Sequence, residues 1–518
     1  MSSNDELFFK IWRNSYLLNL IVNQIVLYNL HYNQRSFDVE EIQSFEFKEY
    51  LNSIKIINIK EHHIPILSSL LPPKIKHLEF GDDEFNFQIE KSTFAACRYL
   101  KSIKFNDKFN QEIIPFSLPE SLVSIEFGFN YNQEFKENSL PSNLKKLIMG
   151  HNYNQKIDSP SVLPKSLEYL DMGYKNENEI KAGALPPNLT HLKFSNRFNF
   201  TLVPGLIPSK IRYLDLGNKY NKEFLKGSLP AGLETLKLST CFNKQLNLLP
   251  QSIKSLYVGK DFDKQLFNTL IKNTNLVHLE FSKHFNNKII DNSLPSSIRL
   301  IKFGKSFNKK IKPRVLPNIT SLSFGELFNQ RVPIGALPSS CKKLKYGQEF
   351  CKQIGNQLPP NLKKLKLNVY NQPISNETFP NSLEYLSFGF DFNKPITPSS
   401  LPSTLKVLRL GRGFQSHQLT KQSLPESITI LETEINNQEI SAESLPNSLK
   451  HLIVWGNCTI KQPIDENLPK SLQYIYTHST NTEFLNQLNV TQFLNILKIL
   501  DKGHLYYLLI KKLYNNND

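Results

Sequence analysis

Residues 294–315 read LPSSIRLIKFGKSFNKKIKPRV, and this stretch recurs with variation along most of the chain. Its template is L-P-x-x-L-x-x-L-x-F-G-x-x-F-N-x-x-I, filled here by Leu294, Pro295, Ile298, Ile301, Phe303, Gly304, Phe307, Asn308 and Ile311. The proline slot falls at 72, 97, 119, 141, 164, 186, 208, 230, 250, 273, 295, 317, 338, 359, 380, 402, 425, 446 and 469, with Cys97 and Asn273 as the exceptions. Glycine follows the apolar triad at Gly81, Gly128, Gly150, Gly173, Gly217, Gly259, Gly304, Gly347, Gly389 and Gly411. An aromatic residue followed by Asn recurs in phase, as in Phe109-Asn110, Tyr131-Asn132, Phe307-Asn308 and Phe392-Asn393.

A unit of about 22 residues holding both Pro and Gly has no room for two helices, and it suits one strand, a turn and a return segment. In Ser124-Ile125-Glu126-Phe127, Ile and Phe share one face and Glu126 takes the other, which is strand alternation. The expected fold is therefore a repeat solenoid, mainly β, with one short parallel strand per unit. The glycine is expected to end the strand through a backbone conformation that other residues avoid. The proline is expected to break the return path. The aromatic and the later Ile should stack inward, and the Asn should form a ladder that satisfies inward-pointing backbone groups.

Outside the array the pattern changes. Residues 6–30 lack Pro and Gly and space Leu7, Ile11, Leu18 and Ile21 as a helix would, so 1–43 reads as an N-terminal helical cap. Residues 44–70 read as a degenerate capping repeat, 71–483 as the array of about 19 units, 484–514 as a C-terminal helical cap, and 515–518 as a disordered tail. Residues 14–34 carry no charge, yet their many Asn and Gln argue for a buried helix and against a membrane span.

Composition is that of a folded protein, 40% hydrophobic and 21% charged. The five cysteines have no paired or metal-ligand spacing, and no signal peptide opens the chain, so a reducing, cytoplasmic location is expected. No phosphate loop, nucleophile elbow, kinase signature or metal-binding HExxH occurs, and neither enzyme chemistry, cofactor nor metal is expected. The His62-His63 pair should point opposite ways on an extended chain, and His77, His191, His278 and His451 share a slot in non-adjacent units.

The Phe-Asn, Ile and Leu-Pro slots between residues 72 and 469 resemble the FNIP repeat family of social amoebae, a variant of leucine-rich repeats. The resemblance implies a leucine-rich-repeat-like solenoid without an established activity. Departures occur at Lys175-Asn176-Glu177-Asn178, Phe350-Cys351 and Phe414-Gln415.

Charge supplies the functional reading. The chain carries +16, and residues 299–372 hold 15 Lys and Arg against only Glu326 and Glu349, a local +13. Along the outward strand slot, acid and base alternate from Glu79 to Lys237, a pattern that compensates itself. From Lys302 the alternation is read as failing, and Lys302, Lys345, Lys366 and Arg409 are expected to have no acidic neighbour, with Lys343 and Lys364 joining them from the slot two residues earlier. These six residues are the candidate partner-binding site, on the concave face of a non-enzymatic protein-interaction scaffold that docks an acidic partner. The bland alternative is that these lysines only splay into water and keep the chain soluble. Two other functions remain open: an F-box-like substrate receptor of a ubiquitin ligase, with residues 6–30 docking an adaptor, and nucleic-acid binding through units 299–372.

Overall fold

The computed structural model describes residues 35–45, 48, 51–81, 84–259, 275–415, 417, 419–420, 422–434, 439–455, 459–461, 468–478 and 497–500. The chain divides into two units, Met1–Ile253 and Lys254–Asp518. In the first, strands Arg35–Phe37, Ser53–Ile56 and His77–Phe80 open a parallel ladder that proceeds one strand per repeat to Thr235–Lys237. In the second, a parallel ladder runs from Ser255–Val258 through Lys343–Lys345 to Tyr474–His478 and Leu497–Leu500. A separate parallel pair joins Glu439–Ser441 to Thr459–Lys461.

Three-residue strands such as Lys146–Ile148 turn the middle residue into the core, and four-residue strands such as His77–Phe80 bury the second and fourth. In the opening stretch Ile298, Ile301 and Phe307 are 0% exposed, and Leu294, Phe303, Ile311 and Val315 are buried beside them. With about 1.5–3 kcal/mol from each fully buried large apolar side chain, this inward row is what each repeat contributes to stability. Its aromatic members form a double column: Phe303 lies 3.9 Å from Phe307, and Phe307 lies 6.0 Å from both Phe285 and Phe328.

Tyr131 and Tyr153 occupy the Phe slot of that column and bury hydroxyls that have no hydrogen-bond partner. Burial, reinforced by Tyr153 and Glu112, holds the Tyr131 phenol far above its usual pKa. Removing these orphaned hydroxyls with Tyr131→Phe and Tyr153→Phe should stabilise the chain by about 1 kcal/mol each, read as a rise in Tm.

The asparagine ladder is present, but it runs along a half-exposed bend and not through the interior. Asn86 Oδ1 accepts from the Asn110 N–H (2.8 Å), Asn110 Oδ1 from Asn132 N–H (2.8 Å), and Asn132 Oδ1 from Asn154 N–H (2.7 Å). The second unit repeats the pattern from Asn286 to Asn308 (2.9 Å) and from Asn308 to Asn329 (3.0 Å). The three irregular rungs keep the bond, since the N–H groups of Glu177, Cys351 and Gln415 reach Asn154, Asn329 and Asn393.

Two expectations about Gly and Pro change. In the strand-ending slot only Gly173, Gly217 and Gly389 take positive φ. The general requirement is space: a Cβ on Gly304, Gly325 or Gly347 would stand 1.7 Å from the carbonyl oxygen of the preceding repeat. The proline opens a turn into the strand, its carbonyl accepting from the N–H three residues on, as in Leu122 N–H to Pro119 O (3.1 Å). Cys97 does the same for Leu100 (3.2 Å), which explains how that repeat dispenses with proline.

The ends also differ from the sequence reading. Within the expected helical cap over 1–43, Arg35–Phe37 is a strand, followed by a six-residue helix, Val39–Ser44, capped by Asp38. Within 484–514, Leu497–Leu500 is a strand paired with Tyr474–His478, because an open ladder edge offers backbone partners that outweigh helical spacing. All of 6–30 and the rest of 484–514 lie outside the described residues. Among the described residues no helix is long and apolar enough to cross a membrane. His62 and His63 sit in a 3₁₀ turn with ring centroids 4.0 Å apart, not on an extended segment.

Candidate functional site

Strands Lys343–Lys345 and Lys364–Lys366 are adjacent and in register, pairing Lys343 with Lys364, Leu344 with Leu365, and Lys345 with Lys366. The two leucines enter the core, so strand alternation turns all four lysines to the outer face. Ser321 and Ser323 border them on one side, Tyr385 and Ser387 on the other. Tyr385 is buried on that outer face, and the Lys364 and Lys366 ammonium groups stand 4.7 Å and 5.6 Å from its ring centroid. Burial, followed by the charges of Lys364, Arg409 and Lys345, pulls the Lys366 ammonium down to about 8.

Lys302 and Arg409 belong to a different environment, and the expectation that they lack acidic neighbours is corrected. Lys302 Nζ meets Glu280 at 2.7 Å, on the strand before it, and Arg409 meets the buried Glu432 at 2.5 Å, on the strand after it. The physical reason is direction: a side chain in a ladder has two neighbours, and each of these bases has its acid on the side away from the central lysines. Among the described residues no carboxylate bridges Lys345 or Lys366. The basic site therefore contracts to the lysine square with Tyr385. In the first unit, ion pairs of Lys55 and Lys104 with Glu79, of Lys193 with Asp171 and of Lys237 with Asp215 realise the expected self-compensation.

Two outer-face features went unread because charge alone was followed along the slots. Beyond Tyr385 the outer face carries, beside the Arg409–Glu432 pair, a buried apolar cluster of Tyr385, Val407, Ile430, Ile453 and Tyr476 against Trp455. His191, grouped above only with distant histidines, lies between Tyr169 (6.0 Å) and Tyr213 (5.7 Å) on the neighbouring strands. Reading the slot across adjacent repeats, and not among like residues, would have found both.

No group of His, Cys, Asp or Glu among the described residues could hold a metal ion. Burial pushes the Cys97 thiol up to about 11 and the Cys341 thiol to about 12, the opposite of nucleophilic activation.

These features define a parallel β-solenoid of the leucine-rich-repeat kind. The FNIP Repeat model matches residues 97–130, 131–175, 176–219, 220–261, 285–327, 328–368, 370–413 and 414–454, each match spanning about two of the 22-residue repeats. The chain belongs to the FNIP repeat family. An FNIP repeat-containing protein of Dictyostelium discoideum is 30% identical over 99 residues, 17% of this chain and 19% of that relative, so the match spans a minor part of both. Among solved structures, the circular leucine-rich-repeat protein CroV588 is 28% identical, with a TM-score of 0.57 over 88% of this chain and 83% of that one. A structure of the Drosophila Toll–Spatzle complex is 14% identical, with a TM-score of 0.40 over 90% of this chain and 69% of that one.

Proposed function

We propose that the chain is a non-enzymatic interaction scaffold that docks an acidic partner protein on the outer face of strands Lys343–Lys345 and Lys364–Lys366. The observation that carries this reading is the density of positive charge in one register. Four ammonium groups on two adjacent strands, about 4.8 Å apart, repel one another, and an anionic segment laid across them relieves that repulsion. Lys366 bears the strain most directly, held near 8 by burial and by the like charges around it. Tyr385 supplies a rigid aromatic edge at the border of the square, a common anchor at protein interfaces.

Reversing the four charges with Lys343→Glu, Lys345→Glu, Lys364→Glu and Lys366→Glu should abolish capture of the partner and leave the melting curve nearly unchanged. Unaltered capture would remove the reading. Acidity should matter as well. In the free protein Lys366 gives up its proton near 8, whereas against an anion it keeps it, so binding takes up a proton above that value. Affinity should be level below about pH 8 and weaken as pH rises above it, and Lys366→Arg, which does not titrate, should flatten that slope.

A further inference from the structure

The asparagine ladder of the first unit has a polarity that a structural role alone does not use. In four successive repeats, Asn86, Asn110, Asn132 and Asn154 each spend Oδ1 on the backbone N–H of the following repeat. Gln111, Gln133 and Gln155 add their Nε2 donors to the Oδ1 atoms of the first three. That requirement fixes the amide orientation: every side-chain oxygen in the row is consumed, and among the described residues none of the four Nδ2 groups meets a protein acceptor.

A second row runs beside the first in the slot two residues earlier, reading Lys108, Asn130, Asn152 and Lys175. Asn130 Oδ1 is consumed by Asn152 Nδ2 (2.9 Å), so Asn130 also presents its Nδ2 donor. Both rows line one groove of about 600 Å³, with a lysine at each end of the second row and no carboxylate on its walls. One residue earlier again stands an aromatic column, with His151 stacked between Phe129 (4.2 Å) and Tyr174 (4.4 Å). Phe129 and Tyr174 are 47% and 37% exposed.

We infer that this groove binds an anionic polysaccharide, a linear chain of uronic-acid or sulfated sugars, lying along the ladder. A wall that offers amide and ammonium donors, with every side-chain oxygen spent within the rows except that of Asn152, which meets His151 Nδ1 at 3.2 Å, selects a ligand rich in acceptors, and carboxylates or sulfates are the strongest. The donors repeat at the strand spacing of ~4.8 Å, close to the advance of a polysaccharide per sugar, whereas same-face side chains of an extended peptide repeat at ~6.6 Å and drift out of register. The aromatic column beside the groove is stacked ring on ring, so it offers the C–H groups of a sugar its ring edges and two end faces, an apolar border that a polyphosphate has no group to meet. This site is separate from the lysine square and makes no use of it.

The test titrates the full chain with oligogalacturonate of defined length. Asn110→Asp with Asn132→Asp keeps an oxygen for each ladder N–H but replaces the outward donors with negative charge. This pair should weaken binding by about tenfold or more while the melting temperature holds. Asn130→Asp, outside the backbone ladder, should weaken binding likewise and covers the case in which the ladder pair fails to fold. Lys108→Ala and Lys175→Ala should each reduce the salt dependence. Unchanged affinity in the Asp variants overturns the inference. So does a neutral glucan that competes equally, a polyglutamate that binds as tightly, or a loss of binding seen only when the lysine square is reversed.

Discussion

Gly325→Ala should destabilise the second unit by about 3 kcal/mol, the upper end of what overpacking costs, read as a fall in the urea midpoint. The added Cβ would meet Gly304 O at 1.7 Å and Gly304 C at 2.5 Å, and both are backbone atoms inside a register held on each side by neighbouring strands. Neither atom can rotate away, so relief requires a shift of the ladder itself. Two other glycines separate this cause from its alternatives. Gly335 has φ of +77° and nothing closer to its Cβ position than Pro313 Cβ at 3.9 Å, so Gly335→Ala should cost about 1–2 kcal/mol of backbone strain without a clash. Gly355 has neither constraint, and Gly355→Ala should be neutral or gain about 0.5 kcal/mol by restricting the unfolded chain. If all three substitutions cost the same, close approach is not what the strand-ending glycine supplies.

Phe307→Ala should cost about 4 kcal/mol. The ring is fully buried and stacks at 3.9 Å on Phe303, with Phe285 and Phe328 above and below it at 6.0 Å. Removing it opens a cavity in the middle of a continuous column, and the neighbouring repeats cannot collapse into that space without breaking strand register. Phe307→Tyr distinguishes volume from polarity. The ring remains while a hydroxyl enters the same slot that leaves Tyr131 and Tyr153 unpartnered, so the expected cost is about 1 kcal/mol. Near-equal losses for Ala and Tyr would mean that filling the slot with a ring is not what the column contributes.

The fold was legible because a solenoid writes its geometry once per repeat. The Ile125 and Phe127 alternation marked the strand, and the Phe307-Asn308 phase marked both the column and the ladder. What could not be read was the reason behind a slot. Gly304 and Gly173 look alike in sequence, and both lie against a carbonyl of the preceding repeat, yet only Gly173 also takes a positive φ, a distinction that lies in the local path of the turn. The serine two places after the proline went unread for the same reason: Ser121, Ser297 and Ser382 donate to carbonyls of the preceding repeat, Leu100, Leu276 and Leu362. The side-by-side register of the four central lysines followed from slot spacing alone. The partners of Lys302 and Arg409 stood in the same slot of the adjacent repeats, Glu280 before and Glu432 after, and were missed because the slot was followed only toward the middle of the basic run.

A single paired capture experiment tests the central claim that position on the outer strand face, and not net charge, selects the partner. One variant reverses Lys343, Lys345, Lys364 and Lys366; the other reverses Lys309, Lys310, Lys312 and Lys352, which lie in loops of the same basic segment. Both change the net charge equally. The partner should be lost from the first variant and retained by the second, with both melting like the parent. Equal loss from the two variants would contradict the account, leaving only a diffuse attraction between a basic chain and any acidic protein.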